Sequence, residues 1–365
     1  MARGRAAAPP SAGETPFALG YRMPAEWEPH AATWLAWPHE PTDWPGKFGA
    51  VPWVTAEIAR HLQTGERVRL IVSGRAQRAQ AARALEQSGV KLGRVDFVTA
   101  RTDRSWTRDF LPLGVVRRRR GRRERAAVKW RFNGWARYPN HAADEAAGRR
   151  VAKGLGLPLF FPTAQGRPVV LEGGAVDVDG QGTLLATEQC LLSGRQARNR
   201  GLGKAGTEAV LRDWLGAETV VWLGEGIAGD DTGGHVDDFA RFVAPGRVVV
   251  AQETDRRDPN YRPLREARER LRRALDARGH RLEVVTLPMP RAVRFAGERL
   301  PASYANFYVG NAAVLVPTFN DPNDRVALGI LADLFPRRTV VGIHSTDFVL
   351  GLGTIHCSTQ QEPLR

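Results

Sequence analysis

The chain of 365 residues carries a formal charge of +14 at pH 7, because 53 lysines and arginines outweigh 39 aspartates and glutamates. This length is ample for a large hydrophobic core. The sequence contains no run of about 18 apolar residues, so no transmembrane helix is predicted. The two cysteines, Cys190 and Cys357, lie far apart, which excludes a disulfide framework and favours a reducing cytoplasm.

The first twenty residues, MARGRAAAPPSAGETPFALG, are rich in arginine, alanine and proline. They lack the sustained apolar segment of a secretory signal, so we expect residues 1–20 to form a flexible tail. No proline- or serine-rich linker follows. The sequence therefore predicts a single domain over residues 21–365.

Short apolar runs predict strands, namely ATWLAW, RVRLIVS, RVDFVTA, PLGVV, AAVKWRF, VVLEGGAVDVD, GTLLATE, ETVVWL, DDFARFV, RVVVAQE, RLEVVTLP, NAAVLVPTF and RRTVVGI. Apolar spacing predicts helices over Trp53 to Thr64, Gln77 to Gly89, His141 to Leu155, Thr207 to Leu215, Arg262 to Gly279 and Asp324 to Phe335. Gly89 and Gly279 are predicted helix stops, and Pro322 marks the start of the last helix. Strand pairs punctuated by single helices indicate a modular α/β assembly.

The run RRRRGRRER, from Arg117 to Arg125, holds part of the positive charge. It could be a patch for nucleic acid or an acidic surface. It could also be the solvated tip of a hairpin, because it lies between the strand-like segments PLGVV and AAVKW. No aromatic residues are interleaved for base stacking, so the hairpin tip is the favoured interpretation.

Five motifs combine polar residues with glycines or aromatic residues: SWTRD, LEGGAVDVDG, GDDTGGHVDD, SYANFY and GLGTIHC. Cys357 adjoins His356, but in an extended segment neighbouring side chains point to opposite faces, so a cysteine in a pocket turns His356 away. His235 is the better base, since in a strand it would share one face with Asp237. We expect Cys190 to be a structural thiol.

Metal and nucleotide chemistry find little support in the sequence. His235, Asp237 and Asp238 form one acidic–histidine array, but a dinuclear manganese site needs a second. The chain contains no CxxC, HExxH, GxGxxG or Walker A motif. We therefore expect a site without metal or other cofactor.

A thiol, a histidine and several carboxylates suit a planar cation with many hydrogen-bond donors, such as a guanidinium group. Its central carbon is protected by resonance, so attack requires a strong nucleophile such as a thiolate. A protonated histidine can then deliver a proton to departing ammonia.

The chain resembles the agmatine deiminase and bacterial peptidylarginine deiminase family, of the guanidino-group-modifying superfamily, from about Tyr21 to its end. Six segments carry the resemblance: MPAEWEPHAATWLAWP, SWTRDFLP, LEGGAVDVDGQGTLLATEQCLL, GDDTGGHVDDFARF, ASYANFYVGNAAVLVPTF and GLGTIHCSTQQEP. The resemblance implies a five-bladed pseudo-symmetric α/β-propeller of the pentein type. It also implies hydrolysis of agmatine to N-carbamoylputrescine and ammonia, in polyamine and putrescine biosynthesis.

The resemblance also implies the roles of individual residues. Cys357 would be the nucleophile that forms an amidino-cysteine intermediate, and His235 the general acid and base. Asp109 and Asp237 would clamp the guanidinium, while Glu172 would support the histidine and the substrate. Trp106, Gly353 and Trp27 would complete the substrate pocket, with Trp106 beside the guanidinium and Trp27 helping to close it.

Gly233 and Asp238 depart from the pattern of many relatives, which read NGHVDN or DGHIDN around the histidine. The alternative function is a deiminase of free or peptidyl arginine that produces citrulline. A third possibility is a catalytically dead binding protein that uses its basic surface on nucleic acid. The intact set of Cys357, His235, Asp109 and Asp237 argues against the third possibility, and the absence of a signal segment favours a cytoplasmic agmatine deiminase over an exported peptide deiminase. We expect it to bind neither nucleic acid nor membrane and, by analogy, to be a homo-oligomer.

Overall fold

A computed structural model of the protein describes residues 14–365. Residues 1–13, most of the predicted tail, lie outside the described residues. The rest of that tail contacts the folded chain: the amide of Phe17 donates to the carbonyl of Asp213 at 3.1 Å, and Arg117 Nη1 donates to the carbonyl of Leu19 at 2.8 Å. The described fold therefore includes residues before Tyr21.

Eight α-helices are found in the described residues: α1 (Val51–Leu62), α2 (Arg75–Gln87), α3 (Thr107–Phe110), α4 (Ala142–Gly154), α5 (Glu188–Leu191), α6 (Gly203–Leu215), α7 (Tyr261–Arg273) and α8 (Asn323–Leu334). The strands are β1 (His30–Ala36), β2 (Arg67–Val72), β3 (Val95–Thr99), β4 (Leu113–Arg119), β5 (Arg122–Val128), β6 (Leu159–Phe160), β7 (Thr163–Ala164), β8 (Arg167–Pro168), β9 (Asp177–Val178), β10 (Thr183–Thr187), β11 (Thr219–Leu223), β12 (Ala240–Ala244), β13 (Arg247–Gln252), β14 (Glu283–Pro288), β15 (Arg294–Phe295), β16 (Glu298–Arg299), β17 (Tyr308–Val309), β18 (Ala313–Thr318), β19 (Thr339–His344) and β20 (Gln360–Pro363).

Five sheets of three or four strands share one connection: an antiparallel strand pair, one or two helices, and a strand parallel to the second member of the pair. The sheets are β20-β1-β2-β3, β4-β5-β6, β9-β10-β11, β12-β13-β14 and β17-β18-β19. Two small hairpins, β7–β8 and β15–β16, stand beside them. This architecture confirms the α/β class predicted from the sequence.

The sheet β12-β13-β14 shows how the sequence produces such a unit. Its central strand β13 carries the run Val248 to Ala251, which is buried as expected for a strand covered on both faces. The crossing helix α7 buries Leu264, Ala267 and Leu271, which recur at helical spacing. Burial of this apolar stripe holds the helix on its sheet.

The first sheet joins the two ends of the described chain. Strand β20 pairs antiparallel with β1, so that Trp34 lies opposite Gln360. The amide of Leu364 also donates to the carbonyl of Pro29 at 2.8 Å. The turn that carries Cys357 therefore leads directly into this sheet.

Each of the five sheets is preceded by a short turn, placed just before the first strand of its antiparallel pair. The turns are Thr107–Phe110 before β4, Gly173–Ala175 before β9, Val236–Asp238 before β12, residues 304–306 before β17 and residues 355–358 before β20. We call them the site turns, because they carry most of the site described below.

The predicted helices are all present, with one clear error in length. The last predicted turn of Arg262 to Gly279 is not helical, because α7 ends at Arg273 and Leu275 bridges to Arg281. Gly279 is therefore no helix stop; it has a φ of +82° in the turn of that bridge. Gly89, with a φ of +79°, does end α2 as predicted.

The predicted strand VVLEGGAVDVD is also wrong as a single element. Asp177–Val178 pairs as β9 and Val170 forms an isolated bridge with Arg131, while Gly173–Ala175 between them forms a single 3₁₀ turn. The adjacent glycines weaken strand structure there.

The arginine run forms the tip of the β4–β5 hairpin, as predicted, with Arg120 and Gly121 in the left-handed region. Much of its charge is paired: Arg117 with Glu124, Arg123 with Glu28 and Arg125 with Glu362. Among residues 14–365, no helix is both long enough and apolar enough to cross a membrane.

Candidate active site

A cavity of about 370 Å³ reaches from the surface to Cys357. Its outer part includes the exposed residues Thr42 and Pro45, and its inner part includes the buried residues Asp109 and Cys357. The full lining is Thr42, Asp43, Pro45, Arg104, Trp106, Asp109, Trp135, Tyr138, Asp231, Thr232, Leu350, Gly351, Leu352, Gly353 and Cys357. This volume suits a small molecule.

Cys357 lies in a helix-like turn, in which the amide of Ser358 donates to the carbonyl of Thr354 at 3.2 Å. The expectation of an extended segment was wrong. The Sγ atom accepts a hydrogen bond from Asn306 Nδ2 at 3.2 Å and lies 3.7 Å from Asp237 Oδ2. The thiol is thus held between an amide and a carboxylate.

Asp109 is fixed from both sides of its carboxylate. The amide of Gly174 donates to Oδ1 at 3.0 Å, and the indole of Trp135 donates to Oδ2 at 2.9 Å. The site turn of Asp109 is tied to that of Cys357, because the amide of Arg108 donates to the Cys357 carbonyl at 3.1 Å. The acid and the thiol therefore hold a fixed geometry.

Trp106 forms one wall of the inner cavity. Its ring packs against Trp44 and Phe348, at centroid distances of 5.6 and 5.7 Å. A Cβ atom on Gly353 would lie 3.0 Å from this ring and 3.1 Å from the Cβ of Cys357. A glycine at position 353 therefore lets Trp106 approach Cys357.

His235 is buried, and both ring nitrogens lack hydrogen-bond partners among the described residues. Nδ1 lies 4.0 Å from Asp109 Oδ2 and 3.9 Å from Asp237 Oδ1, and Nε2 lies 3.8 Å from Glu172 Oε2. His235 and Asp237 do approach each other. The predicted strand is absent, however, because His235 precedes the 3₁₀ turn Val236–Asp238.

The charge of Glu172 is balanced by Arg198, whose Nε lies within hydrogen-bond distance of both carboxylate oxygens. Arg198 Nε donates to Glu172 Oε1 at 3.1 Å, and both side chains are fully buried. Burial raises the pKa of Glu172, but Arg198 and His235 outweigh it, and the pKa falls to about 2. Glu172 is therefore ionised at neutral pH.

The buried charges set the protonation of the histidine and the thiol. Burial lowers the pKa of His235, but the charge of Asp109, with contributions from Cys190 and Glu172, raises it well above its usual value. Burial, aided by Asp237, Asp238 and Asp109, raises the pKa of the Cys357 thiol. Without a bound cation the site thus holds a protonated imidazole and a neutral thiol.

Two groups of side chains have the donor atoms to hold a metal ion. Glu172, Cys190 and His235 form one group, and Asp237, Asp238 and Cys357 the other, each with its donor atoms within 4.8 Å of one another. All six residues are buried; the first group includes the candidate base, His235, and the second includes the candidate nucleophile, Cys357. A site without metal stays a prediction.

Seven of the eight residues predicted for the site lie in or directly beneath the cavity. Trp106, Asp109, Gly353 and Cys357 line it, whereas His235, Glu172 and Asp237 are buried below Asp109 and Cys357. Trp27 is absent from the lining, and its ring packs against the hydrophobic core instead. The position of Trp27 gives no support to its predicted part in closing the pocket.

Sequence reasoning missed Asn306, Trp135, Arg198, Glu26 and the true place of His356. SYANFY is one of the five polar motifs, and its Asn306 lies in the site turn before β17, equivalent to the turns that directly follow Glu172 and His235. Cys190, predicted to be structural, is fully buried and lies near Glu172 and His235. Its neighbours could not be read from the sequence.

The chain is similar to known deiminases over most of its length. Residues 22–363 match the family described as Porphyromonas-type peptidyl-arginine deiminase. The agmatine deiminase of Ectopseudomonas mendocina (strain ymp) is 36% identical, and the match covers 96% of this chain and 97% of that one.

Two solved structures are similar over most of the chain. The agmatine deiminase of Enterococcus faecalis is 33% identical, with a TM-score of 0.88 over 98% of this chain and 99% of that one. A substrate-bound agmatine deiminase of C. jejuni is 26% identical, with a TM-score of 0.82 over 94% of this chain and 97% of that one.

Proposed function

Because the chain belongs to the Porphyromonas-type peptidyl-arginine deiminase family, we propose that it hydrolyses agmatine to N-carbamoylputrescine and ammonia. The observation that carries the proposal is the placement of Cys357 beside Asp109, Asp237 and His235 at the bottom of one narrow cavity. Ionised carboxylates match a guanidinium cation, and the thiol is the nucleophile that such a carbon requires.

In the first step, the guanidinium binds between Asp109 and Asp237. Asp237 Oδ1 has no partner among the described residues and so is free to accept from the substrate. Trp106 lies along the planar group, where a cation–π contact stabilises it. The positive charge of the bound cation lowers the pKa of the Cys357 thiol, which releases its proton to solvent when substrate binds.

In the second step, the thiolate attacks the central carbon and forms a tetrahedral adduct. Protonated His235 gives its proton to one nitrogen, which leaves as ammonia, and an amidino-cysteine intermediate remains. The neutral imidazole then takes a proton from water, whose oxygen attacks the same carbon. This proton transfer restores the imidazolium. Collapse of the second tetrahedral adduct expels the thiolate, which takes up the hydroxyl proton of the adduct as the urea product, N-carbamoylputrescine, forms.

The outer part of the cavity favours a substrate that ends in an amine. Asp231 and Asp43 both line it, and Asp43 Oδ2 is buried without a hydrogen-bond partner among residues 14–365. Burial raises the pKa of Asp43 to about 6, despite the opposing charge of Arg104. An ammonium group would stabilise both carboxylates in their charged form, whereas the α-carboxylate of arginine would be repelled.

The alternative substrate, free or peptidyl arginine, has one observation in its favour. Arg104 lines the cavity and could meet a carboxylate. Its Nη1 already donates to the carbonyl of Asn140 at 3.1 Å, and the guanidinium lies 4.4 Å from the ring centroid of Tyr138. These contacts occupy Arg104, so agmatine is the favoured substrate.

Ammonia release from agmatine, arginine and a blocked arginine peptide, compared without added metal and with a chelator, tests the proposal. We expect turnover of agmatine alone, and an Asp231→Asn variant should raise KM for agmatine while changing kcat less. Faster release from arginine or the peptide would replace agmatine as the substrate. Loss of activity in the chelator would contradict the site without metal.

Other parts of the proposal follow from the family and the fold. We infer that the five sheets surround a pseudo-fivefold axis as blades of a single α/β-propeller domain, because each repeats one strand-and-helix connection. We infer a cytoplasmic homo-oligomer that binds neither nucleic acid nor membrane and serves putrescine formation.

A further inference from the structure

His356 adjoins the nucleophile in sequence but does not line the cavity. Its side chain is buried and lies between two carboxylates. Nδ1 is 2.5 Å from Asp237 Oδ2, and Nε2 is 2.8 Å from Glu26 Oε2. An ionised carboxylate only accepts hydrogen bonds, so both contacts are made only if both ring nitrogens carry protons.

The surrounding charges agree with a protonated ring. Glu26 also accepts from Arg108 Nη2 at 3.2 Å and lies 2.9 Å from Arg241 Nη2. Arg241 is bound in turn to Asp177. With His356 protonated, this buried cluster holds three cations, Arg108, Arg241 and His356, against three carboxylates, Glu26, Asp177 and Asp237. Protonated His235, whose Nδ1 lies 3.9 Å from Asp237 Oδ1, is a further cation beside this cluster.

The chain of contacts ends at the proposed substrate position. His356 occupies Oδ2 of Asp237, and Oδ1 of the same carboxylate is left without a partner among the described residues. Oδ1 lies 3.9 Å from His235 Nδ1, on the side of the candidate base. The imidazole thus determines which oxygen of Asp237 can receive the guanidinium.

We propose that His356 is a positioning residue whose imidazolium, anchored by Glu26, fixes Asp237 so that Oδ1 meets the guanidinium. This inference rests on the proposed deimination. His356 touches neither the substrate nor the reacting atoms. It acts through Asp237, and Glu26 acts through His356.

The first test measures agmatine binding by calorimetry in a Cys357→Ser background, where no turnover occurs. His356→Gln keeps a side chain of similar length but cannot donate to both carboxylates, so we expect binding to weaken roughly tenfold or more. In a background that also carries Asp237→Asn, the same change should weaken binding by less than about twofold. Equal weakening in both backgrounds would overturn the proposal.

His30→Gln is the matched control. His30 is also a buried histidine beside a glutamate, with Nδ1 3.3 Å from Glu66 Oε1, and it is absent from the cavity lining. If His30→Gln weakens agmatine binding as much as His356→Gln does, the effect is a general loss of packing and the proposal is wrong.

The second test needs neither a variant nor activity. Nitrogen NMR of the unchanged protein, with the ring signals assigned through the His356 backbone, should show both ring nitrogens protonated at neutral pH. One unprotonated nitrogen would overturn the proposal. If the protein neither binds nor hydrolyses agmatine, the proposed function fails, and this spectrum still decides the state of His356.

Discussion

Asp109 shows at the scale of one residue that the site is built at a cost to the fold. Its carboxylate is buried beside Asp237 and Glu172, and His235 only partly compensates them. Burial, followed by these charges, raises the pKa of Asp109 to about 6. The unfolded chain loses the proton near the ordinary value of about 3.9, so ionisation of Asp109 favours unfolding as pH rises between the two.

Asp109→Asn should abolish most ammonia release and remove the pH-dependent cost of ionising this buried acid. The amide nitrogen of asparagine cannot accept one of the two hydrogen bonds that Asp109 accepts, which lowers the stability of the variant at the start. The unfolding free energy of the variant, relative to that of the unchanged protein, should rise by about 2–3 kcal/mol between pH 4 and pH 7.5. Urea unfolding at both pH values measures it. An equal difference at both would show that the raised pKa plays no part.

Cys357→Ser should release no ammonia from agmatine and should keep the unfolding temperature of the unchanged protein, since the two side chains differ by one atom. Cys190→Ser is the matched control, because Cys190 is the other buried cysteine. It should retain measurable turnover, since its sulfur does not line the cavity. Normal activity of Cys357→Ser would remove the nucleophile from the mechanism.

At the scale of elements, the five site turns explain why residues distant in sequence meet. Each turn precedes the first strand of its sheet, so the five occupy equivalent positions in repeated units. The turns contain Asp109, Asp237, Asn306 and Cys357, and Glu172 and His235 directly precede two of them. The number of residues between two site turns reflects the length of the helices and strands in each unit. It therefore does not indicate which side chains meet in the site.

The sequence predicts these elements well where one physical signal dominates. Apolar periodicity located all six long helices, and the resemblance named Cys357, His235, Asp109 and Asp237, which the structure brings close together. The strand prediction failed where glycines interrupt the apolar pattern, as at Gly173 and Gly174. Asn306 and Arg198 were missed because their roles depend on contacts across the fold, which no local pattern records.

Gly174→Ala should abolish activity with little loss of stability elsewhere. A Cβ atom at this position would lie 2.6 Å from His235 Nδ1 and 3.0 Å from Asp237 Oδ1, so the base and the acid must move apart. Ammonia release and the unfolding temperature are the measurements. Gly93→Ala is the control, since Gly93 is also the middle residue of a 3₁₀ turn, and its Cβ would meet nothing within 4 Å. Equal turnover in the two variants would contradict the argument.

At the scale of the whole molecule, the formal charge of +14 does not by itself indicate a nucleic-acid surface. Three arginines of the β4–β5 hairpin, Arg117, Arg123 and Arg125, are paired with carboxylates. Arg118, Arg119 and Arg120 are exposed at the tip and form no ion pair with residues 14–365. The excess charge is therefore spread over solvated positions rather than gathered at the cavity.

Replacement of Arg118, Arg119 and Arg120 together by serine should leave ammonia release within about twofold and the unfolding free energy within about 0.5 kcal/mol per position. Arg125→Ser should destabilise the protein more, because Arg125 Nη1 donates to Glu362 at 2.9 Å and to the carbonyl of Pro363 at 2.8 Å. Loss of turnover in the triple variant would give the hairpin tip a function.

The pairing of β20 with β1 has a consequence for synthesis on the ribosome. Strand β1 emerges early, but its antiparallel neighbour and the sulfur of Cys357 follow every other unit in the translated order. A nascent polypeptide thus carries its acids and its imidazole long before it holds a nucleophile. Deimination can begin only after this last segment has been translated and β20 has paired with β1.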